Sequence, residues 1–152
     1  MGSTPNIRMV DVGGKAVTSR VATARGTVTM KAATLKAVRG AALPKGDALA
    51  AAKIAGIMAV KETSRLIPMC HPLLIEDVNI DFSLKQKPPS VAIEATVKGN
   101  GKTGFEMEAL TAVAVCGLTI YDMCKSIDPS MKLENIRLAR KSGGKSGTVI
   151  LE

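Results

Sequence analysis

Two runs of alternating apolar and polar residues follow one another with a short break between them. Ile75, Val78, Ile80, Phe82 and Leu84 mark the first, and Val91 to Lys98 forms the second. A two-residue period sends one face of an extended chain to a core and the other to water. The break, Lys85 to Ser90, holds Lys87-Pro88-Pro89 and reads as a turn. The pattern predicts a β-hairpin. A hairpin joins antiparallel strands, which excludes a strict repeat of βαβ units.

On either side of the hairpin the period changes. Ser19 to Met30, rich in Val and Thr, reads as a strand. Lys31 to Arg39 is a short helix ended by Gly40, and Asp47 caps a helix that runs to about Leu66, where Pro68 stops it. Phe105 to Ser126 is a long helix ended by Asp128-Pro129. Leu133 to Arg140 is a strand, and Thr148 to Leu151 is a short extended tail. Gly99 to Gly104 and Ser142 to Gly147 read as loops. The order strand, helices, hairpin, helix, strand implies an α+β layer: an antiparallel sheet with helices packed on one face. No repeat or linker interrupts it, so residues 1–152 are expected to form a single domain, with 1–8 flexible and Gly13-Gly14-Lys15 as a turn.

With two Phe, one Tyr and no Trp, the core must be built from Ala, Val, Ile, Leu and Met. The same scarcity argues against a nucleic-acid binder, which stacks bases on aromatic rings. The formal charge of +8 still calls for an anionic partner. The basic residues are scattered rather than gathered in a tract, and a small polyanion such as a nucleotide suits them. Cys116 and Cys124 fall in one helix, about 12 Å apart, too far to bridge within a chain. An odd cysteine count and a single histidine suit a reducing, cytoplasmic compartment and no zinc site. The longest uncharged apolar stretch, Ala109 to Tyr121, is too short to span a bilayer, and a soluble protein is expected.

Several residues stand out chemically. Glu108, Thr111, Val115, Leu118, Asp122 and Lys125 step by three and four along the long helix and share a face. Val115 and Leu118 imply that this face is buried, and an aspartate on it must be paired or functional. Lys125 is the nearest partner, and a structural ion pair would account for the two. Glu108 and Asp122 lie about 21 Å apart along the axis, so both can serve one site only if a second subunit brings its own helix alongside. His71, the sole imidazole, sits in Met69-Cys70-His71-Pro72, stiffened by Pro68 and Pro72; such a loop suits anion binding or proton transfer, or an inert turn. Ser142-Gly143-Gly144-Lys145-Ser146-Gly147 is not a Walker A loop, since Ala139 replaces the first glycine and no helix follows. A basic glycine-rich loop can still offer N–H groups to phosphate.

Taken together these segments closely resemble the cyclic pyranopterin monophosphate synthase family, the MoaC family. The matching blocks are MVDVGGK at Met9–Lys15, KGDALAAAKIAGI at Lys45–Ile57, LIPMCHPL at Leu66–Leu73, KTGFEMEALTAVAV at Lys102–Val115, LTIYDMCK at Leu118–Lys125 and KSGGKSG at Lys141–Gly147. Phe105 departs from the family pattern, where a smaller aliphatic residue is usual. The resemblance implies a ferredoxin-like domain assembled as a hexamer, a trimer of dimers, with sites at the dimer interface. It implies a lyase that converts a 3′,8-cyclised dihydro-GTP into cyclic pyranopterin monophosphate and releases pyrophosphate, in molybdenum cofactor biosynthesis. It places the catalytic aspartate on Asp122 and catalytic lysines on Lys45 and Lys125. Substrate-binding positions fall on Met69, Cys70, His71, Glu106, Met107 and Glu108, with basic contacts at Arg20 and Lys141; Lys145, in the glycine-rich basic loop, is a further candidate for the phosphates. No redox change occurs, so no cofactor is expected; a divalent ion accompanying the triphosphate is left open. The rival reading is a non-catalytic nucleotide- or phosphate-binding module, which would need no Asp122–Lys125 pair.

Overall fold

The computed structural model describes residues 5–152. Of the 1–8 segment expected to be flexible, residues 1–4 lie outside the described residues. Residues 5–17 have no helix or strand, and the turn at Gly13-Gly14-Lys15 is formed.

Strand β1 (Thr18–Thr29) alternates as its sequence requires, sending Ala22, Ala24, Gly26 and Val28 inward. Helices α1 (Ala32–Arg39) and α2 (Ala48–Leu66) follow, then the hairpin β2 (Asp77–Gln86) and β3 (Pro89–Gly101). Helix α3 (Glu106–Cys124), β4 (Lys132–Ser142) and the two-residue β5 (Val149–Ile150) complete the chain. The sheet order is β2-β3-β1-β4-β5, every neighbouring pair antiparallel. Without β5 this is the split β-α-β arrangement of ferredoxin-like domains.

The hairpin is tighter than the sequence suggests. Pairing continues through Lys85↔Ser90 and Gln86↔Pro89, leaving only Lys87-Pro88 as the turn. At its other end β3 runs on through Gly99 to Gly101, residues that read as loop, because they still pair with Arg20 and Thr18 of β1. Glycine lacks strand propensity, and an available edge on β1 overrides that. The first strand of the hairpin starts at Asp77 rather than Ile75.

α2 and α3 cross the inner face of the sheet side by side. Where they meet, a Cβ on Gly56 would lie 2.5 Å from Cys116 Sγ and 2.6 Å from Ile80 Cδ1, so glycine is what lets the helices approach. The Cys116 thiol donates to the Ala52 carbonyl at 3.2 Å. By length and composition α3 could cross a membrane. Its buried residues, among them Ala109, Ala112, Val113, Cys116 and Ile120, instead pack on the sheet and α2. Phe105, wholly buried, fits over the sheet because Gly99 leaves room: a Cβ there would lie 2.6 Å from the ring.

The start of α1 is capped from a distance. Fully buried Asp128, after α3, accepts from the Lys31 N–H and the Thr34 hydroxyl through Oδ2, each at 2.9 Å. Its Oδ1 accepts from the Ser130 hydroxyl at 2.6 Å and the Ser130 N–H at 3.2 Å. Burial alone would raise this carboxyl's pKa; the donors outweigh it and hold it at about 2. A group depressed in the folded state contributes stability above its unfolded pKa and loses it as pH falls through the folded value. Asp128→Asn turns an amide against two donors, so it should cost on the order of 2 kcal/mol at neutral pH. Urea denaturation of both proteins at pH 7 and across the window from 3.8 down to about 2 measures this. The difference should shrink through that window, and a constant difference would show that the charge is not what matters.

Candidate functional site

Three contacts establish that α2 and α3 run in opposite directions: Lys45 meets Asp122, Gly56 meets Cys116, and Cys70 meets Glu108. The loop before α2 therefore reaches the end of α3, and the loop after α2 reaches its beginning. Each end of α3 carries carboxylates, and a separate cluster forms around each.

At the C-terminal end, Asp122 Oδ2 accepts from Lys45 Nζ at 2.9 Å and Oδ1 pairs with Lys125 Nζ at 3.0 Å. Lys45 Nζ also donates to the Asp122 carbonyl at 3.2 Å. The Lys45 and Lys125 ammonium groups hold the Asp122 carboxyl below its ordinary pKa, so it is ionised. The start of α2 beside Lys45 is already capped: the Asp47 carboxylate accepts from the Leu49 and Ala50 N–H groups at 3.0 and 3.1 Å.

The burial expected for this face of α3 is wrong at this end. The Asp122 side chain is 54% exposed, and Leu118 is 58% exposed. Val115 and Leu118 are apolar, yet the core-facing stripe is Ala112, Val113, Cys116, Ile120 and Cys124, rotated away from them. Apolar residues ring this helix, and periodicity cannot tell which stripe the sheet will take.

At the N-terminal end the same face is covered. The Met69-Cys70-His71 loop lies against it, Glu108 is 2% exposed, and the Cys70 thiol is 3.8 Å from Glu108 Oε1. The other oxygen, Oε2, is buried without a hydrogen-bond partner among the described residues. Burial is the main cause that pushes the Glu108 carboxyl upward; burial, then the Glu108 charge, push the Cys70 thiol upward. An orphaned buried carboxylate oxygen costs free energy until something donates to it. His71 is half-buried, while Met69 and Met107 are 44% and 37% exposed.

Glu106, two residues before Glu108 and so directed to another side of α3, accepts from Lys141 Nζ at 3.0 Å. Both line a cavity of about 710 Å³ together with Arg20 and Lys145. Two similar tripeptides border it, Gly13-Gly14-Lys15 from the chain start and Gly143-Gly144-Lys145 after β4. Lys102 Nζ donates to the Gly13 carbonyl at 3.0 Å, tying the first turn to the end of β3. Four basic side chains against one carboxylate make the lining cationic.

The structure thus brings Arg20, Lys141, Lys145 and Glu106 together around the cavity, and it pairs Cys70 with Glu108; Met69, Cys70, His71, Met107 and Glu108 are not among the residues that line the cavity. It brings Lys45, Asp122 and Lys125 together elsewhere. It does not join the two groups within one chain, since Glu108 and Asp122 are fourteen residues, about 21 Å, apart along the helix. Sequence reasoning missed Lys15 and Thr18 as lining residues; Thr18 Oγ1 is buried without a partner among the described residues. The repeated Gly-Gly-Lys was the one available signal for Lys15.

The MoaC family profile matches residues 9–144. A protein named cyclic pyranopterin monophosphate synthase from Desulfitobacterium hafniense is 58% identical over 145 residues, covering 95% of this chain and 88% of that protein. One of the same name from Roseiflexus castenholzii is 55% identical over 152 residues, 100% of this chain and 96% of that protein. A third, from Parvibaculum lavamentivorans, is 58% identical over 140 residues, 92% of this chain and 88% of that protein.

Proposed function

The chain belongs to the MoaC family, and from that membership we infer that it is a lyase making cyclic pyranopterin monophosphate from the 3′,8-cyclised dihydro-GTP, with pyrophosphate released, in molybdenum cofactor biosynthesis. The observation that carries the reading into the structure is the cationic cavity of about 710 Å³, lined by Lys15, Arg20, Lys141 and Lys145 with Glu106. Its volume suits a nucleotide-sized ligand. Its lysines and Arg20 suit the triphosphate, and the unpartnered Glu108 oxygen suits a donor on the purine-derived ring.

The chemistry divides between the two clusters. A cyclic phosphate forms when a sugar hydroxyl attacks the α-phosphorus and the bond to the β-phosphate oxygen breaks. The leaving pyrophosphate carries negative charge, which Arg20 and Lys141 would stabilise as it develops. The hydroxyl must lose its proton, and the ring rearrangement needs protons moved as well. Lys45, Lys125 and Asp122 are the groups we assign to that work, the aspartate holding both ammonium groups in place. A divalent ion that neutralises the triphosphate would enter with the substrate, and no resident cofactor is assigned.

Because the clusters lie far apart on one chain, the site we propose is shared. Two antiparallel α3 helices about a two-fold axis would set Glu108 of one subunit near Asp122 of the other. The exposed apolar side chains of α2 and α3, Ile54, Met58 and Leu118 at 63%, 59% and 58%, support a protein partner on this side. The assembly proposed is a cytoplasmic homo-hexamer, a trimer of such dimers, acting on a small molecule and needing neither nucleic acid nor membrane.

Incubating the purified protein with the cyclised GTP intermediate and analysing the mixture by mass spectrometry tests the assignment. The cyclic phosphate product and equimolar pyrophosphate should appear. Binding of the intermediate without conversion would instead mark a non-catalytic module.

A further inference from the structure

The glycine pair after β4 lines the cavity and also packs against Arg20. Gly143 and Gly144 take left-handed backbone angles, φ +100° and +73°. A Cβ on Gly144 would fall 2.7, 2.9 and 3.0 Å from Arg20 Nη1, Nη2 and Cζ. Both nitrogens are nearer than Cζ, so that point sits off the Nη1–Nη2 end of the guanidinium. A Cβ on Gly143 would collide with the Ser19 carbonyl and lie 2.9 Å from Arg20 Cγ. Only glycine allows this approach. From the edge, Arg20 Nε donates to the Gly101 carbonyl at 3.1 Å and Nη2 to the Lys102 carbonyl at 3.3 Å. Nη1 has no recorded hydrogen-bond partner among the described residues, and Arg20 lines the cavity.

We propose that the Gly143-Gly144 peptide is a positioning device for Arg20: it clamps the guanidinium against the end of β3 and leaves the Nη1 donors for an anionic oxygen in the cavity. The proposal rests on the cavity's role as a polyphosphate site. A guanidinium offers five N–H donors in a fixed fork. Holding that fork before the ligand arrives removes the ordering cost that a free side chain pays on binding. Lys145, two residues from Gly143, is exposed and has no such clamp. The glycines of this motif act through the arginine, not as a nest of backbone N–H groups wrapped on phosphate.

Gly147 supplies the control. Its φ is +60°, also left-handed, yet a Cβ on it meets nothing within 4 Å, and it does not line the cavity. Gly144→Ala and Gly147→Ala therefore carry similar backbone strain, and only the first displaces Arg20. Two readouts follow. In ¹⁵N-resolved NMR of the free protein, the Arg20 Nε–H resonance should be sharp and slowly exchanging in the parent and Gly147→Ala, and broadened or lost in Gly144→Ala. Calorimetric titration with inorganic triphosphate should show affinity falling about tenfold or more in Gly144→Ala, the scale of one charged hydrogen bond, and unchanged in Gly147→Ala. In an Arg20→Ala background, Gly144→Ala should add no further loss.

Equal losses in the two glycine variants would overturn the clamp. So would a further loss in the Arg20→Ala background, which would mean that the loop touches phosphate directly. A parent protein that keeps the sharp Arg20 resonance but does not bind triphosphate would overturn the polyphosphate reading of the cavity instead, and with it the use assigned to Nη1.

Discussion

Asp122→Asn should leave a folded protein that turns substrate over at least ~10²–10⁴-fold more slowly, the usual contribution of a general acid–base group. Both carboxylate oxygens are engaged, Oδ1 with Lys125 and Oδ2 with Lys45. An amide keeps one acceptor and sets an NH₂ against the other ammonium group. The side chain is 54% exposed and takes no part in the core, so the fold does not depend on it. Lys125→Arg should fail as well, because a guanidinium keeps the charge but does not release its proton near neutral pH. The measurement is single-turnover product formation, after circular dichroism and sizing show each variant folded and assembled. Near-normal rates in either variant would reduce the trio to a solvent-screened surface ion-pair network.

Mixing two dead proteins should restore activity. Glu108→Ala and Asp122→Ala chains, unfolded together and reassembled, would form hybrid dimers in which one site has both natural residues and the other has neither. Random pairing about a two-fold axis makes half the dimers hybrid, so activity should recover to about a quarter of the parent value. The buried, unpartnered Oε2 of Glu108 motivates the choice of that residue. If hybrids form, as judged by a charge tag on one chain, and remain inactive, the shared site is wrong and each chain must complete its chemistry alone.

Much of the layout was legible in local patterns. The order of strands and helices, the hairpin, the Asp47 cap and the end of α1 at Gly40 all depend on residues close in sequence. Periodicity and capping act over a few residues, which is why they can be read there. The errors fell where a neighbouring strand decided. β3 reached Gly101 because β1 offered it partners, and the hairpin closed to Lys87-Pro88 because pairing continued past the expected boundary.

The candidate site divides the same way. The residue types came from the sequence: a lone histidine between prolines, a glycine-rich basic loop, a carboxylate three residues before a lysine. Their grouping did not. Lys45 and Asp122 are 77 residues apart and meet only because α2 and α3 pack antiparallel. Which face of α3 is buried was settled by the sheet beneath it. An apolar stripe left exposed has the same composition as one that enters the core. Arg20 became fixed only when Gly101, Lys102 and Gly144, from β3, the loop after it and the loop after β4, closed around it. Local propensity specifies the elements because it acts along the chain; the site forms across the chain, where packing and charge meet between residues that no short window contains.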